Sequence, residues 1–301
     1  MTILNRVLCA GALGCAVLAL TVHVYAHGFA GDRFFPPTIT TDDPFAADEL
    51  ALPTISYFEN PGSPGTRETD IGFEFDKLII PNLAVGISDD QILIKSTGSR
   101  ATNGWDDIEL NAKYQLWVNA PHEAIVSVGL ISDLGGTGTK RVGSESTSNL
   151  QPALYFGKGF GDLPESLGML KPIAVTGVFG EIFPLGGGDP NVFEWGISLQ
   201  YQLPYLEQHV KDIGLPKPLR DMIPVVEFAF DTPENHHGGG TTGTINPGIL
   251  WETRYAQFGA EALIPVNRET GAHVGAIFQV WIFLDDLMPK YFGHPLFGGD
   301  K

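Results

Sequence analysis

Val192-Phe193-Glu194-Trp195-Gly196-Ile197-Ser198-Leu199-Gln200-Tyr201-Gln202-Leu203 alternates residue by residue. Phe193, Trp195, Ile197, Leu199, Tyr201 and Leu203 share one parity, while Glu194, Gly196, Ser198, Gln200 and Gln202 hold the other. A period of two is that of a β-strand with one apolar and one polar side. The same pattern recurs along the chain. Ile71, Phe73 and Phe75 oppose Asp70, Gly72, Glu74 and Asp76. In 105–118, Ile108, Leu110, Ala112, Tyr114, Leu116 and Val118 oppose Asp107, Glu109, Asn111, Lys113 and Gln115. Ala124, Val126, Val128 and Leu130 stand against Ser127, Gly129 and Asp133, and Val226, Phe228 and Phe230 against Glu227, Ala229 and Asp231.

With the weaker stretches 50–59, 83–95, 148–160, 170–183, 244–254, 256–265 and 273–284, the count comes to about twelve. The parity of 83–95 shifts near Asp89-Asp90, as a bulge would cause, and 170–183 and 273–284 look apolar on both faces. The connections alternate in kind. Gly/Ser/Thr-rich ones fall at 60–67, 96–104, 135–147, 184–191, 232–243 and 266–272. Between them, turns fall at Pro81-Asn82, at Asn119 to His122, at 161–169, at 204–221 and at Tyr255-Ala256. Long loops at one rim and mostly tight turns at the other predict an antiparallel up-and-down transmembrane β-barrel of the bacterial outer-membrane type, with both termini on the periplasmic side. A closed barrel pairs every backbone amide that lies in lipid.

The amino terminus fits that location. Arg6 precedes an apolar run, Val7 to Val22, and Val24-Tyr25-Ala26 offers a signal-peptidase site. Residues 1–26 are therefore expected to be a signal peptide, 27–49 a periplasmic or plug segment, 50–284 the barrel and 285–301 a C-terminal periplasmic tail. Both cysteines, Cys9 and Cys15, lie in the signal, so disulfides and thiolate metal sites are not expected in the mature chain. The formal charge is −17, and losing Arg6 makes it −18. Such a chain does not seek nucleic acid by charge. Trp105, Trp117, Tyr155, Trp195, Tyr205, Trp251, Tyr255 and Trp281 fall near expected strand ends, where an interfacial aromatic belt would place them.

Gly28-Phe29-Ala30-Gly31-Asp32-Arg33-Phe34-Phe35-Pro36, Asp42-Asp43-Pro44-Phe45-Ala46-Ala47-Asp48-Glu49-Leu50 and Leu199-Gln200-Tyr201-Gln202-Leu203-Pro204-Tyr205-Leu206 together resemble the outer-membrane family of the meta-pathway of phenol degradation group. The resemblance implies a barrel that passes small aromatic or hydrophobic solutes. It carries over no binding residues. The last strand, with His273, Gly275, Phe278 and Val280, also resembles the bacterial barrel-assembly signal, so outer-membrane lipid and the barrel-assembly machinery are the expected partners, beside a small-molecule solute.

Charges on a lipid-facing wall are costly, so the polar parity should line the lumen. The expected lining is Glu74, Asp76, Asp107, Glu109, Lys113, Glu194, Gln200, Glu227, Asp231, Glu252, Arg254 and Glu261. Carboxylates outnumber bases there, which favours cations or a cation-bearing solute. Phe29, Phe34, Phe35 and Phe45 would anchor residues 27–49 as a plug; the alternative is an unattached tail. No cofactor and no metal is expected, although His27 and His236-His237 carry nitrogen ligands. A lipid hydrolase would need a Ser beside a His base, and no strand pairs them on one face. A closed structural or adhesive barrel is the third reading.

Overall fold

A computed structural model describes residues 28–62, 65–96, 98–186, 188–234 and 239–298. The expected signal peptide and His27, His236 and His237 lie outside them.

Twelve antiparallel strands close on themselves. In chain order they are β3 (Glu49–Asn60), β4 (Thr66–Ile80), β5 (Leu83–Ser96), β7 (Glu109–Asn119), β8 (Ala124–Asp133), β9 (Asn149–Gly159), β10 (Ile173–Pro184), β11 (Val192–Tyr201), β12 (Met222–Pro233), β13 (Thr242–Glu252), β14 (Ala256–Pro265) and β15 (Gly275–Phe283). Each pairs with its successor, and β15 returns to β3, with Ala276 opposite Tyr57 and Phe283 opposite Glu49. This is the expected transmembrane up-and-down barrel. Three short strands stand outside the wall: β1 (Phe29–Ala30), β2 (Arg33–Phe34) and β6 (Thr102–Trp105).

The pleat is inverted relative to a soluble protein. Ile71, Val85, Ile87, Leu110, Leu116, Leu130, Leu154, Phe179, Leu199, Ile249, Ile264 and Phe278 are exposed right round the outside. Ser127, Thr176, Ser198, Gln200, Glu227, Asn246 and Gln257 are buried within. Leu199 is 45% exposed and its neighbour Ser198 is 0% exposed. Only a medium of acyl chains makes that arrangement favourable, because so large a continuous apolar band in water would drive association. Cross-strand rings reinforce the band: Phe179 stacks between Phe156 and Phe193 at 5.8 and 6.3 Å, and Trp195 lies on Phe230 at 4.5 Å.

Several details differ from the expectation. No bulge occurs at Asp89-Asp90; the β4–β5 register runs unbroken from Thr66 opposite Ser96 to Leu78 opposite Ala84. The parity lapses there because β5 has left its wall neighbour. Residues 83–88 pair with β7, but 91–94 pair with β6 in a hairpin beyond the loop rim. The expected strand 105–118 is accordingly split, and Asp107 falls between β6 and β7. Of the aromatic belt, Tyr155, Trp281 and Tyr205 turn inward and are buried, while Trp105, Trp117, Trp251 and Tyr255 stay exposed. Tyr155 shares its parity with Gln151, and Trp281 shares its own with Gln279, both buried side chains.

The residues after β15 pack back on the wall. Leu284–Leu287 forms a helical turn, Gly293 N–H donates to Asp48 Oδ2, and Leu296 and Phe297 N–H donate to the carbonyls of Leu78 and Ile79. Residues 284–297 thus fold back along the turn-rim end of β4, where Phe292 meets Phe75 edge-on at 6.3 Å.

Candidate functional site

Residues 28–48 occupy the lumen. The segment begins at the turn rim with a miniature hairpin, β1 against β2, although its sequence shows no strand pattern. Gly31 makes the corner at φ +66°, and a Cβ there would stand 2.2 Å from the carbonyl oxygen of Ala120. Only glycine fits both the left-handed backbone and that gap.

Arg33 is the sole Lys or Arg of the segment and is completely buried. Its Nε and Nη2 donate to Glu123 Oε2 at 3.1 and 3.0 Å. Nη1 donates to Gln202 Oε1 at 2.9 Å and to the Pro172 carbonyl, and Nη2 also reaches the Lys171 carbonyl. Its guanidinium lies 3.6 Å from the centre of the Tyr205 ring. Glu123 further accepts from Tyr205 Oη at 2.7 Å and from Gly161 N–H at 2.9 Å. Burial lowers the pKa of the guanidinium, against the raising pull of Glu123. Burial, then the bond to Glu123, raises that of the Tyr205 phenol. A buried ion pair holds when its remaining hydrogen-bonding atoms are satisfied, as here.

From this anchor the segment climbs to an arch at Thr38–Asp42. Glu227, on the inner face of β12, receives the whole arch. Its Oε1 accepts from Ile39 N–H at 2.9 Å, and its Oε2 accepts from the N–H groups of Thr40 and Thr41 at 2.8 and 2.7 Å. Both threonine hydroxyls add bonds to Oε2 at 2.6 and 3.0 Å. Asn246 Nδ2 donates to Thr40 Oγ1 at 2.8 Å. A carboxylate among backbone N–H donors is a charge-assisted clamp, each bond worth about 1.5–3 kcal/mol.

The descending limb is tied just as closely. Lys113 Nζ donates to Asp42 Oδ1 at 2.6 Å and to the Asp43 carbonyl at 2.8 Å, above the Tyr155 ring. Ser127 bonds the Pro44 carbonyl, Gln115 Oε1 accepts from Ala46 N–H, and Lys77 reaches Asp48 at 2.6 Å. Asp43 is buried, and desolvation pushes its carboxyl up to about 7 although Lys113 pulls it down.

The four phenylalanines lie in or under the barrel mouth. Phe35 and Phe45 form a buried cluster with Ala30, Ile125 and Ala174. Phe34 packs T-shaped on Phe283 at 6.3 Å and against Phe29 at 5.1 Å. This packing explains why β10 and β15 read as apolar on both sides. Ala174 packs on Phe35 and Phe45 of the plug, and Phe283 on Phe34.

Above the arch an acidic vestibule of ≈ 680 Å³ opens at the loop rim, with Glu68, Asp70, Glu194 and Asp231 among its walls and Thr40 in its floor. Beside the arch a smaller space of ≈ 210 Å³ holds Glu74, Glu109 and Glu194 with Asp42. Asp76 follows Glu74 on the inward parity of β4. Under the plug, at the turn rim, Phe29, Phe34, Tyr205, Phe283, Glu252 and Arg254 border a pocket of ≈ 240 Å³. Six of the expected lining residues, Glu74, Glu109, Glu194, Asp231, Glu252 and Arg254, are thus divided among three spaces. Gln200 lies buried between Thr176 and Gln202, and Glu227 serves the plug. Glu261 is buried on β14. Asp107 does not line the lumen; its Oδ1 accepts from Gly138 N–H and Thr137 Oγ1 in the loop-rim turn.

Arg33, Glu123, Asp42, Thr40 and Thr41 were not singled out from sequence. A lone base in an otherwise acidic segment was the available signal for Arg33. Nothing local marks Glu123, whose partners Arg33, Gly161 and Tyr205 come from three distant parts of the chain.

The fold and the filled lumen define a class: a plugged, twelve-stranded outer-membrane barrel. In fold the chain is similar to the COG4313 outer membrane channel from Pseudomonas putida F1, with a TM-score of 0.52, 12% identity, and coverage of 82% of this chain and 99% of that one. NanC porin (TM-score 0.45, 9% identity, 76% and 98% covered) and KdgM porin (TM-score 0.44, 12% identity, 77% and 98% covered) are more distant in shape. No family model matches the chain, and no curated protein matches it in sequence.

Proposed function

We propose that this protein is an outer-membrane channel for small solutes, selective for cations and neutral molecules and gated by residues 28–48. The carrying observation is the pairing of a carboxylate-lined vestibule with a plug arch as its floor. Wall charges of one sign within a low-dielectric tube concentrate counter-ions and repel anions. In this reading the signal is cleaved after Ala26, the loop rim faces outside and the turn rim faces the periplasm. Passage takes no covalent step and no cofactor.

A finer assignment, to aromatic or hydrophobic solutes as in the phenol meta-pathway group, draws support from the pocket under the plug. Phe29, Phe34, Tyr205 and Phe283 give it an aromatic wall, with Glu252 and Arg254 as polar contacts.

Planar-bilayer recording tests the channel reading. Wild type should pass cations in preference to anions, and replacing Glu74, Glu109 and Glu194 with Gln should reduce that bias. Deleting residues 27–47 should raise the conductance. An absence of conductance in both wild type and the deletion would remove the proposal, and an unchanged bias would remove the role of those three carboxylates.

A further inference from the structure

The segment after β15 lies on the side of the wall that faces lipid. Its Phe292 covers Phe75, and Phe75 stands opposite Ile87 of β5, one of the exposed outer residues. Lys77, two positions further along β4, stands opposite Val85, another of them. Lys77 Nζ lies 5.4 Å from the centre of the Phe292 ring and donates to the His294 carbonyl at 3.0 Å. Leu296 and Phe297 N–H then bond the carbonyls of Leu78 and Ile79, and Gly298 comes beside Pro81. The segment therefore runs down the outside of the barrel to the Pro81-Asn82 turn.

A charge on the outer face is costly at mid-membrane and nearly free at the membrane's edge, so Lys77 marks where the hydrocarbon ends on β4. Phe292 sits at that level, and Leu296 and Phe297 sit beside the residues just beyond it. What the segment turns outward is apolar. Tyr291, 71% exposed, and Phe297, 67% exposed, are the barest large hydrophobic side chains among the described residues, and Leu296 is exposed with them. Aromatic rings of this kind gain most at headgroup level, where part of each ring meets acyl chain. Lys290, also exposed, adds a charge suited to phosphate.

We propose that residues 287–297 are an interfacial anchor seated in the phospholipid headgroup layer at the turn rim, with Tyr291, Leu296 and Phe297 dipped toward the acyl chains. Bilayer lipid is the occupant of this face because the patch continues the lipid-facing band through Phe75, Val85 and Ile87. Asp48 accepts from both Lys77 and Gly293 N–H, so the anchor ties the end of the plug segment to the membrane surface. It does so whether or not solute crosses the lumen.

Single-site labelling tests the anchor in vesicles of phosphatidylethanolamine and phosphatidylglycerol. Residues 27–301 contain no cysteine, so one NBD fluorophore can be placed at Tyr291→Cys or Phe297→Cys. Leu154→Cys on the outer wall and Asp212→Cys in an exposed turn serve as references. Nitroxide on the headgroup should quench labels at 291 and 297 at least twofold more than nitroxide at mid-chain, with the order reversed at 154. Aqueous iodide should quench them severalfold less than the label at 212. Iodide quenching equal to that at 212 overturns the proposal, since the segment then sits in water. Labels shielded from iodide and from both nitroxides also overturn it, and would put a second copy of the chain on this face. Without any label, Tyr291→Ser combined with Phe297→Ser should speed exchange of amides 293, 296 and 297 severalfold in vesicles, with heat-modifiable gel migration showing a folded barrel. Unchanged exchange there overturns the proposal as well.

Discussion

Replacing Arg33 with Met keeps much of the buried stem while deleting the guanidinium. Five hydrogen bonds go with it, two to Glu123 and one each to Gln202, Pro172 and Lys171. Glu123 is then left buried with the Tyr205 hydroxyl and the Gly161 N–H as its remaining donors. Removing one partner of a buried pair costs about 3–5 kcal/mol, a factor of roughly a hundred to several thousand in the equilibrium between docked and undocked plug. The wall itself keeps every strand pairing. Hydrogen exchange should show amides 35 and 39–41 opening faster by that factor while amides of β8 and β12 hold their protection. Adding Glu123→Gln to Arg33→Met should recover part of the loss, since no unpaired charge then remains. Unchanged exchange at 39–41 in Arg33→Met would refute the view that this pair anchors the plug.

Glu227→Gln turns charge-assisted bonds into neutral ones and sets an amide against backbone donors, at roughly 1 kcal/mol per bond; bilayer recordings should show frequent brief openings, and a silent trace would clear Glu227 of the clamp role. Asp43 has its folded-state pKa raised from 3.8 to about 7. The native state therefore binds the extra proton, and the penalty is absent below pH 3.8, grows as pH rises, and is complete above pH 7. Plug protection should accordingly fall between about pH 4 and pH 7, by up to about 4 kcal/mol, and Asp43→Asn should flatten that dependence in the same exchange experiment. Leu154→Arg puts a charge in the middle of β9 on the outer face and should cost about 2–4 kcal/mol in reversible folding into vesicles; a change below ~0.5 kcal/mol would place Leu154 outside the hydrocarbon.

The wall was largely legible because period two is a local property. Phe193 to Gln202 and Val226 to Asp231 declare their faces without reference to any neighbour. Alternation failed where a second partner intervened. In β10 and β15 inward residues are apolar because the plug covers them, and beyond Ser88 strand β5 answers to β6 instead of the wall. The interior was less legible. Glu227 was correctly turned inward by parity, but its task depends on backbone amides of residues 39–41, which no side-chain pattern announces. Glu123 and Arg33 meet only through topology, being ninety positions apart. Tyr155 and Trp281 were assigned to the belt on ring type, and their parity was the better guide.

The plug runs directly into β3, whose other edge waits for β15 at the far end of the chain. Until that seam zips, the wall is an open trough and residues 28–48 can settle against it from the side. Afterwards they are sealed in. Extracting the whole segment would mean pulling Arg33 from its buried socket through the mouth. On the proposed channel reading, passage comes from the arch yielding locally, with both limbs still moored.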